Sequence, residues 1–203
     1  HVPYDRLIIA LGSQPATFNI PGLSENSFML KSLSNARQIR GHLEMTLSTL
    51  VGATRSTPYP IVIGGAGITG VELATELSEG LKDFAQEYGF DRSAIKIVLV
   101  DAAPTVLPGF DQKTIDEAAS VLADMGIDVR TNTAVERVEA DRVVVKTNGT
   151  REVIETRTLI WTGGIKANAL VVNSGLTLGE RSAAVVDEYL RSVDYPEVSV
   201  VGD

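Results

Sequence analysis

The chain of 203 residues has no cysteine. That excludes a redox-active disulfide, a thiol nucleophile and any zinc or iron–sulfur centre built on thiolates. Histidine is nearly as scarce: only His1 and His42 occur. One is the first residue and the other lies in a mixed polar stretch, so both are expected at the surface rather than as ligands or bases. Basic residues are also short, with 18 Lys and Arg against 26 Asp and Glu, a net charge of −8. Such a balance gives no face able to neutralise phosphates along a nucleic acid, which is excluded as a partner. No apolar run reaches the ~18–20 residues of a membrane span, and no signal peptide is visible. The longest runs, such as Ile61 to Ile63 and Ile97 to Val100, have the length of strands.

Enough remains for a folded core. The hydrophobic fraction is 44%, ordinary for a globular protein, and the length suits one domain or two small ones. Glycine is plentiful, with 18 residues, and three of them carry the most informative pattern. In Pro60-Ile61-Val62-Ile63-Gly64-Gly65-Ala66-Gly67-Ile68-Thr69-Gly70-Val71-Glu72 a short apolar strand runs into G-x-G-x-x-G, and a helical pattern begins at once. A dinucleotide pyrophosphate needs that order. Gly65 allows the tight turn, Gly67 lets backbone approach the phosphates, and Gly70 lets the helix pack against the strand. Ile68 and Thr69, between the last two glycines, belong to the same cradle, because the helix offers unpaired N–H groups and the positive end of its dipole there.

The surrounding periodicities place this motif in an α/β domain. A strand is expected at about Arg6 to Leu11, followed by irregular chain. An amphipathic helix follows over 34–50, with apolar Ala36, Ile39, Leu43, Leu47 and Leu50 and a cap at Ser34 or Asn35. Residues Gly52 to Tyr59 read as a linker. After the glycine motif, a helix carries Ala74, Leu77, Leu81, Phe84 and Tyr88 and closes at Gly89. Strand Ile95 to Val100, a helix capped by Asp111 and closed by Gly126, and strand Ile127 to Arg130 follow. Three alternating segments, at 135–139, 142–146 and 152–156, read as an antiparallel meander whose second turn is Asn148-Gly149. Thr158 to Thr162 returns as a buried strand. The fold class is α/β: a Rossmann-like parallel sheet with a three-stranded meander as one crossover, plus remnants of a second α/β domain. The expected divisions are 1–57, 58–170 and 171–203. The chain opens on a buried-type strand close behind His1 and ends on another at Asp203, so we expect a piece of a longer protein.

Candidate site residues follow from the fold. The second strand of a Rossmann unit ends near the adenosine ribose, where a carboxylate accepts the ribose hydroxyls and repels a 2′-phosphate. Asp101 holds that position. Ala102 comes next, with no Arg or Lys to receive a phosphate, which favours NADH over NADPH. Glu72 is read as lying in the first helical turn, where the dipole alone favours an acid. A carboxylate beside a pyrophosphate would repel it, so a second reading directs Glu72 towards the reacting end of the cofactor. Gly163-Gly164, after the strand ending in Trp161-Thr162, sits where open α/β sheets collect ligands. Trp161 itself is expected in the core.

These residues and three further stretches resemble the type II NADH dehydrogenases of the two-dinucleotide-binding-domain flavoproteins, the pyridine nucleotide-disulfide oxidoreductase superfamily. Tyr4-Asp5-Arg6-Leu7-Ile8-Ile9-Ala10-Leu11-Gly12-Ser13 is similar to the second flavin-domain motif, with Leu11 in place of the usual threonine. Leu159-Ile160-Trp161-Thr162-Gly163-Gly164-Ile165-Lys166-Ala167-Asn168 is similar to a stretch seen in that family, and Val200-Val201-Gly202-Asp203 resembles its last flavin motif. The resemblance implies the NADH-binding part of a flavoprotein that passes hydride from NADH to FAD and electrons to a quinone. It assigns Gly12, Gly202 and Asp203 to the flavin, Glu72 to proton handling near the nicotinamide–flavin contact, and Gly163-Gly164 to the same neighbourhood. It implies that a first glycine motif for FAD would lie before residue 1. A membrane-binding region would lie after Asp203, placing the parent on the cytoplasmic face of a membrane. A binding module without catalysis, and reductases like those of ferredoxin or like NADH oxidases, stay open as alternatives.

Overall fold

The computed structural model describes residues 2–49 and 57–202. His1, Asp203 and most of the expected linker lie outside them, as does Leu50 at the end of the predicted helix. The elements in chain order are β1 (Leu7–Ile9), β2 (Ser13–Pro15), α1 (Leu23–Asn26), β3 (Phe28–Met29), α2 (Leu33–Ser48), β4 (Tyr59–Gly64) and α3 (Ile68–Tyr88). Then come β5 (Ile95–Val100), α4 (Gln112–Asp124), β6 (Asp128–Arg130), β7 (Thr133–Glu139), β8 (Arg142–Thr147), β9 (Thr150–Glu155), β10 (Leu159–Trp161), β11 (Ile165–Ala167), α5 (Ala169–Val172) and β12 (Val198–Val200). They form two compact units: Thr17–Gly163, and the residues up to Ala16 together with those from Gly164 onward.

The larger unit is built on a parallel sheet of order β3-β10-β4-β5-β6. Its central strands β4, β5 and β10 are largely apolar because both faces are covered. Alternation decides which residue goes where. Ile61, Ile63, Ile97, Leu99 and Ile160 point to a core shared with Ile39, Leu43 and Leu47 of α2, Ala74 and Leu81 of α3, and Leu122 of α4. Val62, Val98, Val100, Leu159 and Trp161 point the other way, onto Val135, Val138, Val143, Val145 and Ile154 of the β7-β8-β9 meander. Each fully buried aliphatic side chain contributes about 1.5–3 kcal/mol, so the two cores together hold the sheet between helices and meander. The β8–β9 turn is Asn148-Gly149, with φ of 50° and 88°, a pair suited to the type I′ turn that follows the twist of a hairpin.

Several expectations change at this level. The cap of α2 is Ser32, not Ser34 or Asn35: its hydroxyl accepts the Asn35 N–H at 3.2 Å, and the Asn35 side chain accepts the Ser32 N–H at 3.1 Å. Asn35 is thus the third helical residue of a capping box. Tyr59 opens β4 rather than ending a linker. The stretch expected to be irregular holds β2, α1 and β3, all too short for periodicity to reveal. His42 is not a solvated surface residue. It lies half-buried against the Phe28 ring at 4.5 Å, and its Nε2 sits 2.8 Å from the Thr158 hydroxyl.

In the smaller unit β1 pairs in parallel with β12, Leu7 opposite Val198, and β2 pairs antiparallel with β11. The stretch 6–11 is shorter as a strand and less buried than its composition suggests: Ile8 is 69% exposed and Leu11 47%. Among the described residues no helix is long and apolar enough to cross a membrane.

Candidate dinucleotide site

The chain leaves β4 on one side, passing through α3 to β5 and α4 to β6, and returns through the meander to β10 on the other side of β4. The strand order therefore reverses between β4 and β10, and ligands of open α/β sheets bind outside the carboxyl ends at such a reversal. Two segments emerge there, Gly64-Gly65 after β4 and Thr162-Gly163 after β10, and they interlock. The Thr162 N–H donates to Gly64 O at 2.8 Å, and the Thr162 hydroxyl to Gly64 O and Gly65 O at 3.1 and 2.9 Å.

Each glycine of the motif has its own reason. Gly65 has φ of 107°, which a side chain disfavours, and a β-carbon on it would lie 2.6 Å from Gly163 Cα. A β-carbon on Gly70 would overlap Gly65 O, so its absence brings α3 down onto the turn. Gly67 is different: its φ of −72° suits any residue, and a β-carbon there would meet nothing within 4 Å. Neither the fold nor the packing of the protein requires glycine at this position. Gly67 is also the N-cap of α3, no side chain caps that helix, and its ladder starts only with the Val71 N–H on Gly67 O at 3.0 Å. The N–H groups of Ile68, Thr69 and Gly70 are the orphan donors of the first turn, and Ile68 and Thr69 are exposed. A helix end of this form is suited to an anion.

Asp101 sits directly after β5, half-buried. One carboxylate oxygen accepts the Ala66 N–H at 2.6 Å and the other accepts the Ala103 N–H at 2.7 Å. The side chain thereby ties the glycine turn to the β5 turn while each oxygen keeps a lone pair for a further donor. Arg130, at the end of the neighbouring β6, is committed elsewhere: its guanidinium meets Asp128 at 3.0 Å and Glu152 at 2.9 Å. Burial raises the pKa of the Asp128 carboxyl, but Arg130 and Lys96 outweigh it, and the group lies below its ordinary value.

Beside Asp101 lies a cavity of about 420 Å³. Gly65, Asp101, Ala102 and Gly163 line it, together with residues the sequence reading missed: Phe18, Ile20 and the stretch Thr133 to Val135 at the start of β7. One signal pointed to the last group, since the loop leaving β6 must emerge beside Asp101 at the same edge of the sheet. Trp161 is in the core as expected, 7% exposed, and its ring occupies the space where β-carbons on Gly64 and Gly163 would be.

Glu72 lies outside the cavity lining. Because α3 starts at Ile68, Glu72 is in the second turn and not the first, so the helix dipole gives little reason for an acid there. Its side chain is exposed. In the smaller unit, Gly12 and Gly202, with φ of 64° and 105°, flank a second cavity of about 320 Å³ walled by Ile9, Ile165, Val186 and Leu190. Gly164, with φ of 134°, begins the second segment of that unit.

Known proteins share this fold. A type II NADH:quinone oxidoreductase of Staphylococcus saprophyticus is 28% identical over 202 residues, which are 98% of this chain and 50% of that protein. The structure of NDH2 from Plasmodium falciparum in complex with NADH superimposes with a TM-score of 0.88 at 25% identity, over all of this chain and 44% of the other. A NAD-dependent persulfide reductase from A. fulgidus does so at 0.74 and 27%, over all of this chain and 33% of that one. The chain spans about half the length of the curated relatives it matches. Residues 1–203 match the family model throughout, and the chain belongs to the pyridine nucleotide-disulphide oxidoreductase family.

Proposed function

We propose that this chain is the NADH-binding part of a flavoprotein that carries electrons from NADH through FAD to a quinone. The observation that carries the nucleotide assignment is Gly67: its missing side chain serves nothing inside the protein, yet it borders the uncapped end of α3. A pyrophosphate needs both that space and those donors. Gly65, Gly67, Ile68, Thr69 and Gly70 would hold the diphosphate, and Asp101 with Ala102 the adenosine ribose. Gly163 supports the turn from the far side. When bound, NADH supplies a hydride and FAD accepts it and releases electrons one or two at a time.

The protein's own part is to bind and orient. Asp101 fixes the Ala66 N–H and so holds the turn in one shape before the nucleotide arrives. Glu72, exposed on α3, is assigned to moving a proton during reduction of the quinone. The fit to FAD is partial. Gly12 and Gly202 offer small residues at the wall of a cavity, but the 203 residues hold a single G-x-G-x-x-G, and it serves the nucleotide. That observation supports a second reading for the isolated chain, a module that binds NADH and turns nothing over. The names of the relatives support the quinone as acceptor.

Titration of the chain with NADH and NADPH tests the assignment. NADH is expected to bind at least about tenfold more tightly, because the Asp101 carboxylate opposes a 2′-phosphate. Equal affinity would remove Asp101 from its role. A colourless preparation that binds NADH fits the second reading, and a yellow one with NADH:quinone activity defeats it.

A further inference from the structure

The cavity beside Asp101 has a wall for which the fold gives no reason. Phe18 and Asn19 have φ of 49° and 56°, a left-handed conformation uncommon for residues that carry a β-carbon. The bend is fixed at its base. The Ile20 N–H donates to Thr17 O at 2.9 Å, and the Val138 N–H on the meander holds Pro21 O at 2.9 Å. The bend does not bury the aromatic ring: Phe18 is 66% exposed. Its ring stands edge-on to Trp161, with centroids 6.4 Å apart and planes at 69°. It lines the cavity with Ile20, Ala102 and Val135, and Asp101 lies at the same cavity.

An aromatic face, small apolar walls and one carboxylate suit a planar heteroaromatic base joined to a hydroxylated sugar. Trp161 also lines the cavity, but it is 7% exposed with its ring packed against Gly64 and Gly163, so the open aromatic face is that of Phe18. We infer that Phe18 is the stacking wall for the adenine of the bound dinucleotide, held outside the core by its strained turn for that purpose. The inference rests on the nucleotide reading above and adds a recognition residue to it.

The test uses the 203-residue chain with Phe18→Leu and Phe18→Tyr, titrated with AMP and with NADH by calorimetry. Emission of Trp161, the one tryptophan in the chain, provides a second readout. Stacking of a base on an aromatic side chain predicts that Phe18→Leu weakens both ligands about tenfold, that Phe18→Tyr restores them, and that neither variant shifts the unfolding midpoint. Unchanged affinity in Phe18→Leu overturns the role of Phe18 while leaving the nucleotide site intact. Equal losses in the Leu and Tyr variants overturn it too, since shape and not aromaticity would then matter. A wild-type chain that binds neither AMP nor NADH overturns the nucleotide reading and this inference together.

Discussion

The two ends of the parallel sheet treat their polar groups in opposite ways. At the amino end the groups satisfy one another. The Tyr59 hydroxyl and His42 Nε2 both meet the Thr158 hydroxyl, at 2.9 and 2.8 Å. The Thr156 hydroxyl donates to Pro60 O at 2.6 Å and accepts the Thr158 N–H at 2.9 Å. Tyr59, Thr156 and Thr158 are all buried. At the carboxyl end the carbonyls of Gly64 and Gly65 are satisfied by Thr162, while the first N–H groups of α3 have no side-chain cap. A network closed on itself contributes stability; donors left facing outward contribute binding. Substitutions at the two ends should therefore separate the two properties.

The largest effects belong to the glycines, which divide within one motif. Gly70→Ala places a methyl group on Gly65 O, a β-carbon fixed to the helix against a backbone oxygen, where neither atom can move aside. Overpacking of this kind costs about 1–3 kcal/mol and more where nothing yields, so Gly70→Ala should lose both fold and binding. Gly67→Ala should unfold within about 1 kcal/mol of the parent chain, the scale of a changed helix cap. It should nevertheless bind NADH about a hundredfold more weakly, ~2.8 kcal/mol. Thermal unfolding and a NADH titration of both variants check the pair. Comparable NADH affinity in Gly67→Ala and the parent would mean that the open space is not a phosphate site.

Thr158→Val is the counterpart at the amino end. It removes the hydroxyl on which Tyr59 and His42 converge, although the Tyr59 hydroxyl still accepts the Arg157 N–H at 3.2 Å. The expected cost is about 1–3 kcal/mol, read as a lower midpoint in urea, with NADH affinity within about twofold of the parent chain. A matching loss of affinity would show that the two ends are coupled through β4 and β10, and the comparison above would fail.

The sequence made one end far more legible than the other. The glycine turn, Asp101 and the return strand before Gly163 were readable because each is a local pattern: a spacing, a strand end, an apolar run. The meander was readable from alternation and from Asn148-Gly149. The β1–β12 pair was not, because it joins residues that lie almost the whole chain apart and its strands are three residues long. The amino-end network was hidden for the same reason. Thr158 lies 116 residues from His42 and 99 from Tyr59, and threonines at a strand start carry no periodic signal. Phe18 was missed because composition cannot distinguish a buried phenylalanine from one held outside. Glu72 stands in the second turn of α3, not the first, because the helix begins directly after the second glycine of the motif.

His42 supplies the smallest effect. Burial lowers its pKa below the ordinary histidine value of 6.5, with a backbone interaction at Arg157 opposing in part. The folded chain therefore prefers neutral imidazole, and the unfolded chain takes up a proton first as pH falls. The sign follows from linkage: stability rises with pH wherever the unfolded state binds more protons. The contribution of His42 is complete above pH ~6.5 and declines as the solution is acidified below it. The carboxylates whose pKa is depressed in the fold, Asp128 among them, lose their contribution only at lower pH, in the range where carboxylates titrate. Unfolding in urea between pH 7.5 and 5 should show a shallow fall in the parent chain, and His42→Gln, which keeps a polar group beside Thr158, should flatten it. NADH affinity should not follow that fall, because the group that titrates lies at the end of the sheet away from the glycine turn. An equal fall in the His42→Gln chain would assign the pH dependence to another group.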